Sequence, residues 1–264
     1  MPYFRFRKKN IFYNDSGQGS PVVLLHGFTE SSKIWEEFAG KLERKYRVIA
    51  PDLPGHGKSD SVAPVHDMEL MADMVAGLLK RLKTGKCLLA GHSMGGYVAL
   101  SFAEKYPGML KGLTLFHSHC YADTKDETEI RNRTIQVVKN DKFGFVAQFI
   151  PGLFPEASRK LHAAEIGRMV RRAAKMEGDA VVAALEGMKA RKDHTRTLQN
   201  LPVPVLFILG MKDSRAPVAR FNEMTTLPAV TQSLVIRDCG HMGFIEFPRL
   251  TFGALAGFAK TILG

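Results

Sequence analysis

The chain has 264 residues, an apolar fraction of 45 % and a formal net charge of +11. This length suits one large α/β domain or two small ones, and the apolar fraction is ordinary for a folded globular protein. No run of about 18 apolar residues occurs, and the basic N-terminal stretch is not followed by an apolar segment. We therefore expect neither a membrane span nor a secretory signal.

The cysteine content and the charge distribution narrow the function classes further. The three cysteines lie far apart and show no zinc-site or disulfide-framework spacing, so we expect a reduced, cytoplasmic protein. Within residues 159–196, ten Lys/Arg stand against five Asp/Glu. Such an excess could attract acidic substrates or nucleic acid, but acidic and apolar residues interrupt it. We interpret it as solvated helix faces and expect no nucleic-acid partner.

The N-terminal part of the chain alternates strand and helix patterns. Tyr3–Arg7 alternates apolar and basic residues, as an edge strand does, and we expect it to form an antiparallel hairpin with residues 9–15. Continuous apolar runs, typical of strands buried on both faces of a parallel sheet, come next. They occupy residues 22–25, 47–50, 88–90 and 110–116. Helical spacing over 67–83 predicts a long helix before the third of these runs.

Between His117 and about Arg196 the strand patterns stop and helical patterns continue alone. Two segments place apolar residues on one helical face, the first around Ile166 and the second around Val181. We interpret this part of the chain as an insertion rather than a separate domain. The patterns predict a helical lid over residues 119–196.

The α/β pattern resumes after this lid. Apolar runs over 203–209 and 233–236 predict two further strands, and helical spacing over 248–263 predicts a terminal helix. The predicted core is therefore α/β and comprises residues 1–118 and 197–264.

A buried strand leads directly into the pentapeptide Gly91-His92-Ser93-Met94-Gly95, which has the pattern Gly-x-Ser-x-Gly. A serine on a sharp turn between strand and helix adopts a strained backbone that exposes its hydroxyl above the sheet edge. The two glycines allow the strand and helix backbones to approach closely. An ordinary glycine-rich turn would also match, but the apolar run before it and the helical pattern after it favour a nucleophile. We predict Ser93 as a catalytic serine.

A serine nucleophile needs a base within hydrogen-bond reach and an acid that orients the base. After such an elbow the acid comes first and the histidine second, each just past a strand. Asp213 follows the strand at 203–209 and His241 follows the strand at 233–236, so we predict them as acid and base. Asp213 could instead open an Asx turn, and His241 could be a surface loop histidine. Asp238 is a rival acid, but it has no strand-end position of its own.

Other residues are candidates for stabilising or binding the substrate. Two backbone N–H groups normally stabilise the oxyanion of a tetrahedral intermediate. The residue after the nucleophile and the loop after the first parallel strand supply them, which predicts Met94 and Phe28. Polar and aromatic residues near strand ends or in the lid could contact the substrate, or could serve packing alone. They are His92, Tyr97, Ser118, His119 and Phe149.

Motifs spread along the whole chain resemble those of the α/β-hydrolase fold superfamily, in the same order. They are His26-Gly27-Phe28, Asp52-Leu53-Pro54-Gly55-His56-Gly57-Lys58-Ser59, Gly91-His92-Ser93-Met94-Gly95-Gly96, Gly210-x-x-Asp213 and Gly240-His241-Met242. They are similar to those of small serine esterases, enol-lactonases and haloperoxidase-like hydrolases. The resemblance implies a mostly parallel twisted sheet of about eight strands, an antiparallel N-terminal hairpin, flanking helices and an inserted lid.

These motifs predict a serine hydrolase that cleaves a carboxylic ester, lactone or thioester through an acyl-enzyme. A serine at the elbow separates the chain from haloalkane dehalogenases and epoxide hydrolases of this fold, whose nucleophile is an aspartate. Such chemistry needs no metal or organic cofactor, and its partner is a small acyl substrate. We expect a monomer or a homodimer.

Two alternatives stay open at this point. One is a lyase or perhydrolase with the same triad, like the menaquinone-pathway lyase or the cofactor-free haloperoxidases. Tyr97 stands where that lyase has an elbow arginine, which counts against the first of these. The other alternative is a non-catalytic protein that binds a small ligand on a hydrolase scaffold.

Overall fold

The computed structural model describes residues 2–216 and 218–264. An eight-stranded sheet forms the scaffold, in the order β1-β2-β4-β3-β5-β6-β7-β8. The strands are β1 (Tyr3–Phe6), β2 (Lys9–Ser16), β3 (Pro21–Leu25), β4 (Arg47–Pro51), β5 (Cys87–His92), β6 (Leu110–Phe116), β7 (Val205–Gly210) and β8 (Thr231–Ile236). β2 pairs antiparallel with β1 and with β4, and all other neighbouring strands are parallel. This confirms the predicted fold class.

Helices connect the strands and cover both faces of the sheet. They are α1 (Glu36–Leu42), α2 (Met68–Arg81), α3 (Met94–Lys105), α4 (Lys125–Phe149), α5 (Glu156–Arg159), α6 (Ala163–Ala173), α7 (Gly178–Lys189), α8 (Thr195–Gln199), α9 (Phe221–Thr225), α10 (Gly243–Glu246) and α11 (Pro248–Leu263). The long helix α2 begins directly after its N-cap residue, Asp67. The Asp67 side chain accepts the N–H of Leu70 at 2.7 Å, which satisfies a donor that the first turn leaves free.

The middle strands are apolar along their whole length because both of their faces are covered. In β3, Val23 and Leu25 belong to one cluster of buried residues, and Val22 and Leu24 belong to another. Successive side chains of a strand point to opposite faces, so these clusters lie on the two sides of the sheet. Helices α2 and α3 contribute to the first cluster, and α1 and α11 to the second.

The chain between β6 and β7 forms helices α4 to α8. Helix α4 is kinked at Asp141, whose φ of −148° and ψ of 80° are not helical. The Asp141 side chain accepts the N–H of Gly144 at 2.8 Å and so caps the second half of the helix. In α7, Val181 and Leu185 are buried, as their spacing predicts. These helices lie where we predict a lid, although the division into core and lid stays a prediction.

Most predicted elements occur near their predicted positions. The strand Leu110–Phe116 and the helix Pro248–Leu263 have the predicted bounds. β8 begins two residues earlier than predicted, at Thr231, because this edge strand carries exposed polar residues instead of an apolar run. Within the described residues, every helix is too short or too polar to cross a bilayer.

Candidate active site

The sharp turn between β5 and α3 carries Ser93. Its φ of 50° and ψ of −117° lie in a region that side-chain-bearing residues rarely adopt. A Cβ on Gly95 would lie 2.6 Å from the carbonyl oxygens of Leu25 and His26, and one on Gly91 would collide with Gly95. Only glycine therefore permits this approach of the helix start to the end of β3. The strained turn leaves Ser93 half-buried and its hydroxyl directed at His241.

Two further strand ends bring Asp213 and His241 to the serine. Asp213 follows β7, and His241 follows the neighbouring strand β8. The Nε2 atom of His241 lies 2.8 Å from Ser93 Oγ, and its Nδ1 atom lies 2.9 and 2.8 Å from the two carboxylate oxygens of Asp213. Because the carboxylate accepts the Nδ1–H, the Nε2 lone pair faces the serine and can receive its proton.

Asp213 accepts more hydrogen bonds than the one from His241. Its Oδ1 atom accepts the backbone N–H groups of Arg215 at 2.7 Å and Ala216 at 3.2 Å, which form an Asx turn. Asp213 thus forms an Asx turn and also bonds to His241, so the two roles considered from the sequence do not exclude each other. Burial alone would raise the pKa of Asp213, but the charge of His241 and the hydrogen bonds from His117 and His241 hold it well below its usual range. Asp213 is therefore ionised.

A second histidine, which sequence reasoning missed, also bonds to this carboxylate. The Nδ1 atom of His117 lies 3.0 Å from Asp213 Oδ2, and His117 is 1 % exposed. Burial lowers the pKa of His117 to about 4, although Asp213 opposes the shift. His117 directly follows β6, the strand next to β7, so its strand-end position could have indicated it. The polar atoms of His117, Asp213 and His241 come within 4.8 Å of one another, but they are already hydrogen-bond partners.

The contacts of His92 correct its prediction as a substrate-binding residue. Its ring is fully buried, with Nδ1 at 3.0 Å from Glu30 Oε2 and Nε2 at 3.0 Å from the backbone oxygen of His241. Both ring nitrogens are thus occupied within the protein. Glu30 also accepts the N–H of Gly27 at 2.5 Å. The pair consequently links the loop after β3 to the loop that carries His241.

Ser118 likewise supports the turn instead of facing a ligand. It is fully buried, and its hydroxyl donates to the backbone oxygen of Ser93 at 2.9 Å. A Cβ on Gly96 would collide with it. These contacts correct the prediction that Ser118 binds substrate.

Tyr97 and His119 bond to each other. His119 Nδ1 accepts the N–H of Tyr121 at 3.3 Å, which leaves its Nε2–H to donate to the Tyr97 hydroxyl at 3.0 Å. Burial and, next, the charge of Arg191 lower the pKa of His119 to about 3, so this ring is neutral. The guanidinium of Arg191 lies 4.3 Å from the Tyr97 ring centroid. A role of either residue in substrate binding stays a prediction.

The two predicted oxyanion donors lie on the loops beside Ser93. Met94 is the first residue of α3, so its N–H has no partner within the helix. Within residues 2–216 and 218–264, neither this N–H nor that of Phe28 donates to another group of the chain. The Phe28 ring contacts Phe149 of α4 edge to face, with centroids 5.6 Å apart, and Phe149 is partly buried.

A separate groove of about 670 Å³ lies between the loops after β3 and β4 and helices α6 and α7. Its lining includes Ser31 and Lys58 from the loops and Arg172 from α6, but neither Ser93 nor His241. This groove is therefore distinct from the space above the serine.

A serine, a histidine and an aspartate bonded in series at the ends of parallel strands form the arrangement of Ser-His-Asp hydrolases. Comparison with known proteins identifies the family. A family described as alpha/beta hydrolase fold matches residues 20–248. The chain belongs to the α/β-hydrolase fold family.

Individual relatives extend over nearly the whole chain. A thermophilic esterase from Thermogutta terrifontis, solved with malate bound, is 33 % identical, with a TM-score of 0.91 over 97 % of this chain and 95 % of its own. A pimeloyl-[acyl-carrier protein] methyl ester esterase from Aeromonas hydrophila is 29 % identical over 88 % of this chain and 92 % of its own. The enol-lactonase from Burkholderia xenovorans LB400, at 19 % identity and a TM-score of 0.90 over 98 % of this chain and all of its own, shares the fold. The protein is an ester-cleaving hydrolase.

Proposed function

We propose that the protein hydrolyses carboxylic esters, or related lactones and thioesters, through Ser93, His241 and Asp213 and an acyl-enzyme intermediate. The observation that carries this proposal is the unbroken hydrogen-bond chain through the three side chains. Ser93 Oγ lies 2.8 Å from His241 Nε2, and His241 Nδ1 lies 2.8 Å from the buried carboxylate. These distances are those needed for proton transfer to a general base.

In the proposed mechanism, His241 removes the Ser93 proton as Oγ attacks the substrate carbonyl carbon. The negative charge that develops on the carbonyl oxygen is held by the N–H groups of Phe28 and Met94. His241, stabilised as an imidazolium by Asp213, then gives its proton to the departing alcohol or thiol. Water attacks the acyl-enzyme with His241 as base, and the released acid and free Ser93 complete the cycle.

We further propose that helices α4 to α7 form a lid, residues 119–196, over an apolar acyl site. The contact between Phe149 and Phe28 supports this, because it joins a lid helix to the loop that supplies an oxyanion donor. Aromatic side chains on both sides would bury an acyl chain next to the carbonyl. Relatives named as esterases support an ester as the bond cleaved.

The compartment is also part of the proposal. Cys87, Cys120 and Cys239 are free and buried, so their thiols need no oxidising environment. We propose the reducing cytoplasm as the location of the enzyme.

Labelling with a fluorophosphonate probe, combined with p-nitrophenyl ester hydrolysis, tests the mechanism. We expect the native protein to be labelled once, and Ser93→Ala to lose labelling and about 10⁴- to 10⁶-fold of kcat. Ser61→Ala, which changes an exposed serine in the groove, should behave as the native protein does. Labelling or turnover that persists in folded Ser93→Ala would refute the proposal.

A further inference from the structure

We propose that His117 is a positioning residue for the reaction: it fixes the carboxylate of Asp213 and thereby sets the orientation of His241. The proposal rests on the proposed function, because positioning has a purpose only if His241 acts as the base. It is carried by the geometry that places a second imidazole on the same buried carboxylate.

The backbone of His117 adopts an uncommon conformation at the end of β6. Its φ is 49°, a left-handed value that is costly for a residue with a Cβ. The hydroxyl of the next residue, Ser118, donates to the backbone oxygen of Ser93. This bond fixes the segment that carries His117 to the turn that carries Ser93. This turn directs the His117 ring at Asp213, with Nδ1 at 3.0 Å from Oδ2. The uncommon backbone conformation of His117 thus accompanies a direct hydrogen bond to Asp213.

The protonation state of His117 suits a donor that adds no charge. A carboxylate can only accept, so Nδ1 of His117 bears the hydrogen. Its Nε2 atom faces the Cys239 sulfur at 3.9 Å, and burial raises the pKa of Cys239, which keeps it a thiol. With its own pKa lowered to about 4 by burial, His117 is neutral near pH 7. It therefore does not repel the imidazolium that forms on His241 during the reaction.

The contact divides the carboxylate oxygens between two sets of donors. Oδ1 accepts two backbone N–H groups, from Arg215 and Ala216, and Oδ2 accepts that of His117. Both oxygens are thus fixed while they bond to His241. Without His117, Oδ2 loses this fixed donor, so the carboxylate can rotate and its charge is less dispersed. A less dispersed charge attracts the imidazolium form of His241 more strongly.

The other titratable groups close to His241 have hydrogen-bond partners other than the Asp213 carboxylate. His92 lies with its ring centroid 5.0 Å from that of His241 and pairs with Glu30. Glu246 bonds to the backbone N–H groups on either side of His241. Because these groups are unchanged in His117 variants, a shift in the pH profile reports the Asp213 contact.

The sharpest test compares His117→Asn with His117→Gln. The amide nitrogen of asparagine can occupy the place of Nδ1, and asparagine tolerates a positive φ, whereas glutamine carries its amide one methylene too far. For p-nitrophenyl butyrate we expect His117→Asn to retain kcat within about threefold. We expect His117→Gln to lose about 10- to 100-fold, the range seen when hydrogen-bond partners of metal-ligating histidines are replaced. We also expect the acidic limb of its kcat/KM profile to shift upward by about 0.5 to 1 pH unit.

Two control variants separate positioning from packing and backbone strain. His194→Asn changes a buried histidine that bonds to Ser101 and Thr197 instead of the triad. Lys83→Gly relieves a positive φ of 51° at an exposed position. Both should leave the pH profile, normalised by fluorophosphonate active-site titration, unchanged.

The outcomes discriminate clearly. Equal activity and equal pH profiles for folded His117→Asn and His117→Gln would overturn the positioning role. So would a folded His117→Asn that is as impaired as His117→Gln. If Ser93→Ala retains labelling, the proposed function itself fails. If Ser93→Ala is inactive and His117→Gln is silent, only the role of His117 fails.

Discussion

Two buried histidines flank His241, and each bonds to a buried carboxylate, yet their protonation states are opposite. Their ring centroids lie 5.0 Å (His92) and 5.9 Å (His117) from that of His241. Burial would lower the pKa of His92, but the charge and hydrogen bond of Glu30 outweigh it and raise that pKa. For His117, burial prevails over Asp213 and lowers the pKa to about 4. Both ring nitrogens of His92 face acceptors, the Glu30 carboxylate and the His241 backbone oxygen, so both bear hydrogen and this pair is charged. His117 is neutral near pH 7.

The difference arises because one carboxylate is shared and the other is not. Glu30 bonds to one histidine and one backbone N–H, so its full charge stabilises His92. Asp213 divides its charge between two histidines, and the charge of His241 also disfavours a second imidazolium. Burial disfavours the charged form of both histidines, and only the undivided carboxylate of Glu30 outweighs it. The fixed ion pair connects two loops, whereas the shared carboxylate of Asp213 orients His241 through its Nδ1 atom.

The largest expected effect comes from removing the shared charge. Asp213→Asn should lower kcat by about 10⁴-fold, because the amide can no longer impose the tautomer that presents the Nε2 lone pair to Ser93. Steady-state hydrolysis of a p-nitrophenyl ester, with folding checked by circular dichroism, measures this. A folded variant with less than a tenfold loss would show that the carboxylate is not essential.

The contrast between the two pairs also explains what the sequence could and could not predict. Ser93, Asp213 and His241 follow strands, and the ends of parallel strands meet at one sheet edge, so their convergence was predictable. Glu30 lies 62 positions from His92, and no periodicity relates them. His92 is predicted as a substrate-binding residue because it lies at a strand end, directly before Ser93. The strand pattern cannot say that both of its ring nitrogens are already occupied.

An intermediate effect is expected from breaking the charged pair. Glu30→Gln should lower the free energy of unfolding by about 1–3 kcal/mol, since the buried His92 loses its charged partner but can neutralise itself. The pKa of His92 is raised above its usual value near 6.5, so its stabilisation is complete below that pH and declines as the pH rises. The pKa of Glu30 is lowered from its usual value near 4.5, so its stabilisation is present above that pH and declines in acid.

The pH dependence makes this prediction specific. The difference between native and Glu30→Gln unfolding free energies should be largest between about pH 4.5 and 6.5, as measured by urea unfolding at several pH values. Asp15→Asn is the matched control, because its pair with Arg47 is partly exposed and should contribute under about 1 kcal/mol. A difference that is the same from pH 4 to pH 9 would argue against a charged Glu30–His92 pair.

The smallest expected effect concerns Asp238, the carboxylate closest to His241 in sequence. Its side chain is 63 % exposed and pairs with Lys212 at 2.8 Å, whereas Asp213 is buried and bonds directly to the imidazole. Water screens an exposed carboxylate, so it cannot orient a histidine or stabilise its charge as a buried one does. Asp238→Asn should therefore leave kcat within about twofold and the acidic limb of the kcat/KM profile unmoved. Suppose that this variant loses tenfold of kcat while Asp213→Asn is only mildly impaired. The catalytic acid would then be Asp238, and the positioning role of His117 would lose its basis.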